Sequence, residues 1–262
     1  VGVTDIVRIL WSTLTGAKKL KAGVAMENAE RMNCIAELAA TGKLKPVIAR
    51  HLLLEFTDPD DIVLDCFAGS GTVPLEAAIL GRRVLAFDSN PYAVTLTRAK
   101  LEAPESLQAA NAQLTQTLAG SKLRPPYAEE SVPDWVRKFF HPDTLQAALR
   151  FADECLERDH PFLLACLLSI LHHQRPGFLS YPSSHLVPYL RDRKFPRAQY
   201  PEMYAERALQ PRLEAKLQRT YKASRVIERD RVLQIGQIDV AALVLDREVD
   251  AFPDLPRGLR TI

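Results

Sequence analysis

The chain has 262 residues, 47% apolar and 25% charged, with a formal net charge of +2. These proportions exclude disordered and fibrous classes and leave enough mass to bury a core, as one large domain or a domain carrying an insertion. The mild positive charge permits a polyanionic partner without requiring one.

Residues 1–42 read as an N-terminal helical segment. Ile6, Ile9, Leu10 and Leu14 recur at helical spacing, and a second helical stretch stops at Gly42. The chain starts at Val1 rather than Met, which suggests trimming from something longer. From Pro46, "VIARHLLLEF" predicts an amphipathic helix, and "TDPDD" supplies a turn. A strand over Ile62 to Asp65 follows, then the glycine-bearing loop "CFAGSG", then a helix from Val73 to Leu80 stopped by Gly81. A second strand over Val84 to Asp88, a turn "SNP" and a helix from Tyr92 to about Leu101 complete a β-loop-α-β-α unit, which implies a parallel sheet with right-handed crossovers.

The next strand pattern is "RVLQIG", Arg231 to Gly236. The residues between are far more than a crossover needs, so 104–230 is expected to be a mostly helical insertion. Leu145, Leu149, Ala152 and Leu156, with the apolar run "PFLLACLLSIL" at 161–171, predict a helical hairpin. The proline-, aromatic- and arginine-rich stretch after it reads as an extended ordered loop. Domain organisation is thus a helical segment 1–42, a core 43–103, the insertion 104–230, and a return to the core over 231–262. The run at 161–171 is too short to span a bilayer, and the N-terminus has no secretory pattern. Cys34, Cys66, Cys155 and Cys166 form no CxxC pair, so neither a disulfide framework nor a zinc site is expected. A soluble cytoplasmic protein without a metal is the expectation.

In the loop after the first strand, Gly69 and Gly71 let the backbone turn tightly and approach a ligand closely. A diphosphate would call for GxGxxG spacing, but Thr72, Val73 and Pro74 follow and an acid, Asp65, precedes. An acid beside the ligand suits a cation better. Asp88, ending the second strand, is placed to accept hydrogen bonds from ribose hydroxyls. A ligand with ribose, a cationic group and no phosphate points to S-adenosylmethionine.

The stretch "VLDCFAGSGT…EAAILGRRVLAFDSNPYAVTLTRAKL" resembles the cofactor-binding region of the prokaryotic DNA amino-methyltransferases, which methylate the exocyclic amine of cytosine (N4) or adenine (N6). Asp65, Phe67, Gly69 and Gly71 stand where that family has its phenylalanine-glycine motif, followed by Thr72, and Asp88 with Asn90-Pro91 matches its ribose-binding acid and continuation. "GKLKP", Gly42 to Pro46, resembles a degenerate form of the motif that closes over the methionine end, with Leu44 where an aromatic is usual. The resemblance implies a Rossmann-like class I methyltransferase α/β fold. It also implies S-adenosylmethionine held by Lys43, Pro46, Asp65, Phe67, Ala68, Gly69, Gly71, Thr72, Asp88, Ser89 and Asn90, and a role such as restriction-modification.

The family's catalytic tetrapeptide, (Asp, Asn or Ser)-Pro-Pro-aromatic, accepts hydrogen bonds from the amine of a base flipped out of the duplex. The chain's Pro-Pro-aromatic, "RPPY" at 124–127, does not fit: Arg124 cannot accept, and no buried strand precedes it. The sequence reaches Ile262 where that motif would be expected next, which reads either as a fragment cut before it or as a degenerate protein that keeps cofactor binding only. Gly236-Gln237 occupies the place of the family's Gly-Asp. Catalytic residues are therefore unassigned. Segment 172–197 carries His172, His173, Arg175, His185, Arg191, Arg193, Lys194 and Arg197 interleaved with Phe178, Tyr181 and Tyr189. Cations bind phosphates and aromatic rings stack on unpaired bases. Together with the resemblance this makes Arg175, Tyr181, Arg191, Arg193, Lys194 and Arg197 the expected contacts to double-stranded DNA. The alternatives are an RNA guanine-amine methyltransferase and a non-catalytic remnant that binds cofactor or DNA. Target base and oligomeric state are left open.

Overall fold

The computed structural model describes residues 45–171, 178–182, 188–222 and 231–237. The chain divides into two compact units, with boundaries at Ala103/Pro104 and Ala223/Ser224. The α/β unit starts from α1 (Pro46–Phe56), whose proline occupies the first helical turn, where no hydrogen bond is lost. It continues through β1 (Ile62–Asp65), α2 (Thr72–Ile79), β2 (Arg83–Asp88) and α3 (Pro91–Leu101), and closes with β3 (Val232–Gln237).

The three strands form one parallel sheet in the order β1-β2-β3. β2 lies in the middle and alternates its side chains between two apolar clusters. Val84 and Ala86 join Leu53, Val63, Leu75, Ala77, Ala78 and Leu101 on one face. Leu85 and Phe87 join Ile62 on the other. Burial on both faces is what a parallel sheet demands, and it explains the unbroken apolar run "VLAF". Small residues on α2, Ala77 and Ala78, allow that helix to sit close against the strands. Register places Asp65 beside Ala86 and Asp88 beside Gln237, so the carboxyl ends of all three strands open on the same side. That end is where ligands sit in open α/β sheets.

The helical unit comprises α4 (Leu107–Leu123), α5 (Asp134–Arg137), α6 (Pro142–Glu157), α7 (Pro161–Leu171), α8 (Pro188–Lys194) and α9 (Leu209–Tyr221), with short 3₁₀ turns at Glu129–Ser131 and Pro201–Tyr204. The expected hairpin is present as α6 and α7. α7 is apolar all round because α6 and α9 both pack against it, leaving nine of its residues buried. The stretch read as an extended loop is corrected: it contains α8 and the Pro201–Tyr204 turn. The reason is tertiary, since α8 turns Arg191 inward between two tyrosine rings, and the sequence pattern scores that residue as solvent-facing. Residues 1–44 and 238–262 lie outside the described residues, and so do the helical readings made for 1–42. Cys66, Cys155 and Cys166 are free thiols. Among the described residues no helix is long and apolar enough to cross a membrane.

Arg82 locks the α/β unit together. Buried at the start of β2, it donates from Nε to Thr57 Oγ1 at 3.0 Å, from Nη1 to the Leu80 carbonyl at 2.7 Å and from Nη2 to the Thr57 carbonyl at 2.5 Å. One guanidinium thereby satisfies the end of α1 and the end of α2 at once. Replacing it by methionine keeps the stem but strands two carbonyls, and a buried polar group left unpaired costs about 1–3 kcal/mol. Arg82→Met is expected to lower the urea midpoint with an unchanged slope, whereas an equal midpoint would show that these contacts are dispensable.

Candidate functional site

β1 ends at Asp65, and the chain then crosses over the sheet in a loop, residues 66–71, before entering α2. Two residues in that loop have left-handed backbone: Gly69 at φ 53° and Gly71 at φ 73°. Gly71 is also the helix N-cap, and a Cβ there would stand 2.8 Å from Thr97 Oγ1 and 2.9 Å from Thr97 Cα. Both conformation and space therefore require glycine at 71. At Gly69 the space is open, since a Cβ would meet only the Phe67 carbonyl at 3.7 Å. The loop is consequently tight against α3 underneath and clear above.

Asp88, at the tip of β2, fixes the loop's position. Its Oδ2 accepts from the Gly69 amide at 2.8 Å and its Oδ1 from the Asn90 amide at 2.8 Å. Asn90 in turn caps α3 by accepting from the Tyr92 amide at 2.9 Å. The Ala68 amide donates to the Phe87 carbonyl at 2.9 Å, so the loop is tied to β2 twice. Asp65 accepts from the Phe67 amide at 3.1 Å. Burial pushes the Asp65 carboxyl above the usual carboxylate range; the Phe67 amide works against this, and the charge of Asp88 adds to it. Phe67 itself is 86% exposed, an aromatic ring held out over the loop.

The structure thus brings together Asp65, Phe67, Ala68, Gly69, Gly71 and Asp88, with Ser89 and Asn90 directly after β2 and half-buried Thr72 opening α2. Pro46 is half-buried at the start of α1, and Lys43 lies outside the described residues. Two further contributors left no signal in the sequence, and a third, Gln237, stands out there only as a departure from the resembled family's Gly-Asp. Lys100, only 4% exposed on α3, points its ammonium at the Ser70 carbonyl. Thr97, one turn earlier on the same face, is the floor under Gly71. Gln237 at the end of β3 donates to the Ser89 carbonyl at 3.3 Å, tying the third strand to the turn after Asp88.

Two carboxylates converging on a backbone loop can accept hydrogen bonds from hydroxyls and attract a cation. They repel a phosphate. The "RPPY" stretch is elsewhere, in the helical unit, and its polar groups are used structurally: Arg124 pairs with Glu154 and Glu157, and the Tyr127 hydroxyl donates to Asp153. Of the expected DNA contacts, Arg193, Lys194 and Arg197 are exposed, Tyr181 and Arg191 are each 1% exposed and stacked on one another, and Arg175 lies outside the described residues. Tyr181 has no free ring face to offer at the surface in this arrangement.

Gly71→Ala is expected to disorder the loop and to destabilise the protein, because the methyl group meets the α3 backbone at Thr97 as well as a strained φ. Lys100→Met removes the ammonium from Ser70 without that clash, and is expected to loosen the loop with a smaller loss of stability. Backbone amide exchange at residues 68–71 measures both; protection equal to the parent in Lys100→Met would remove Lys100 from the loop's support.

Comparison with known proteins bears on the same region. Residues 43–99 match the model of a DNA methylase family, a span that holds β1, the glycine loop, Asp88 and most of α3. Neither the curated proteins nor the solved structures yield a match. The likeness to that DNA methylase family covers residues 43–99 of the 262.

Proposed function

We propose that the chain binds S-adenosylmethionine at the carboxyl ends of β1 and β2, and that it serves an enzyme methylating the exocyclic amine of cytosine (N4) or adenine (N6) in DNA. The observation that carries this reading is Asp88: both of its oxygens are held by backbone amides, one from the glycine loop, and each retains a lone pair suited to a ribose hydroxyl. Asp65 supports it from the other side, as a half-buried carboxyl raised first by burial and then by the charge of Asp88, which a bound cation would offset. Gly69 leaves the approach clear, and Phe67 offers an exposed ring as a flank. When bound, the cofactor supplies a methyl group activated by a sulfonium. The residues of this chain orient it, and the positive charge on sulfur is matched by Asp65. Exposed Arg193, Lys194 and Arg197 on the helical unit supply cations for the phosphates of the DNA substrate.

Isothermal titration of the full chain with S-adenosylmethionine, beside Asp88→Ala, tests the reading. A hydrogen bond to a charged acceptor contributes about 1.5–3 kcal/mol, so the variant is expected to lose at least about tenfold in affinity. Absence of binding by both proteins would overturn the proposal.

The Asp65 shift gives a second expectation. With its folded pKa raised, the carboxyl of the free protein is neutral at low pH and ionises as pH rises through that pKa. A cationic ligand favours the ionised form, so affinity is expected to rise with pH through this range and level off above it. For stability the sign is opposite: the raised group contributes stability below its unfolded pKa that is lost as pH rises through the folded one. Asp65→Asn is therefore expected to raise the melting temperature of the free protein at neutral pH while weakening the ligand. A lower melting temperature together with unchanged affinity would contradict the assignment.

A further inference from the structure

α8 is only seven residues long, and a helix of that length does not hold itself in water. Arg191 pins it from beneath. The side chain is 1% exposed, and its guanidinium carbon lies 5.0 Å from the Tyr181 ring centre and 5.3 Å from that of Tyr204. Its Nη2 donates to the Lys138 carbonyl at 2.9 Å and its Nε to Asp192 Oδ1 at 3.0 Å. Burying a guanidinium is unfavourable unless its donors and charge are met, and Asp192 also accepts from the Tyr204 hydroxyl at 3.1 Å. The acid of α8 is thereby engaged on its own inner cation.

The opposite face is left with a different composition. Tyr189 is 69% exposed and Leu190 is 37% exposed. Arg193, four residues on, is exposed on the face of Tyr189, while Leu190 and Lys194 lie on the flank, with the Lys194 ammonium 5.4 Å from the Phe195 ring centre. Arg197 follows the helix with its guanidinium 4.6 Å from the Tyr204 ring centre. A ring and a guanidinium are thus held outward, with a second cation on the flank, by a helix whose placement is fixed through a buried arginine. Cations complement phosphates, and a ring with a free face stacks on any base not already stacked.

We infer that the outer face of α8 is a nucleic-acid contact surface, on which Tyr189 stacks against an unpaired base while Arg193 and Lys194 take the adjoining phosphates. Arg191, buried, is a positioning residue. The inference rests on the DNA reading above and is independent of the cofactor site. It moves the stacking role from Tyr181, which is sealed under Arg191, to Tyr189.

Fluorescence anisotropy with the full chain tests it, using a labelled duplex that is fully paired and the same duplex with one unpaired base, over a series of salt concentrations. Arg193→Gln combined with Lys194→Gln is expected to weaken binding to both duplexes and to reduce the slope of log affinity against log salt by about two. Tyr189→Ala is expected to lose about tenfold on the duplex with the unpaired base and little on the paired one, with Tyr189→Phe restoring the difference. These side chains are exposed, so the fold is not at risk. If the parent binds neither duplex, or the variants bind both as the parent does, the surface is not a nucleic-acid contact. If Tyr189→Ala loses equally on both duplexes, the stacking role is overturned. Titration of the same preparation with S-adenosylmethionine shows whether the cofactor reading stands or falls separately.

Discussion

The contact between the Asp88 carboxylate and the Gly69 amide is the constraint on which the α/β unit's architecture turns. A parallel sheet aligns the ends of its strands but says nothing about how the connecting loop crosses them. Here the loop is drawn onto the tip of β2 by one charged hydrogen bond at 2.8 Å, and the Ala68 amide on the Phe87 carbonyl holds the next peptide. Everything around that contact serves it: left-handed glycines permit the path, Thr97 and Lys100 set its underside, and Asn90 keeps Asp88 oriented by capping the helix that carries both supports.

The α/β elements were largely legible because their signals are local. Glycine and proline bracket each one, and the apolar runs have the right lengths. The helix expected at 73–80 is Thr72–Ile79, the strand expected at 84–88 is Arg83–Asp88, and the helix expected at 92–101 is Pro91–Leu101. "RVLQIG" gives β3 at Val232–Gln237. What stayed hidden depends on contacts between residues far apart in sequence. A lysine on an amphipathic helix is ordinarily solvated, so nothing in "TRAKL" announces that Lys100 is buried against a carbonyl thirty positions away. Thr97 looks like any helix threonine until Gly71 is laid over it. α8 was missed for the same reason: Arg191 counts as a surface residue in any pattern, and only Tyr181 and Tyr204 together make it an interior one.

Buried guanidiniums recur in both units and act alike. Arg82 joins two helix ends, and Arg191 holds a short helix against Lys138 and two rings. Each substitutes several oriented hydrogen bonds or ring contacts for the hydrophobic area that a short element cannot bury. Such a device gives position more than it gives free energy, since the desolvated cation offsets much of what its contacts contribute. It suits places where a loop or a short helix must stand in one orientation.

The two carboxylates at the carboxyl ends of β1 and β2 also set a direction. In the free protein Asp65 is kept from ionising easily by its burial and by the charge on Asp88. A guest bearing a positive charge relieves that tension, and a guest with one positive charge fewer relieves it less. On the proposed reading, methyl transfer converts a sulfonium into a neutral thioether, so the spent cofactor is held less firmly than the fresh one by the very pair that admitted it. Turnover and exchange would then be coupled through a single unit of charge, with no moving part required.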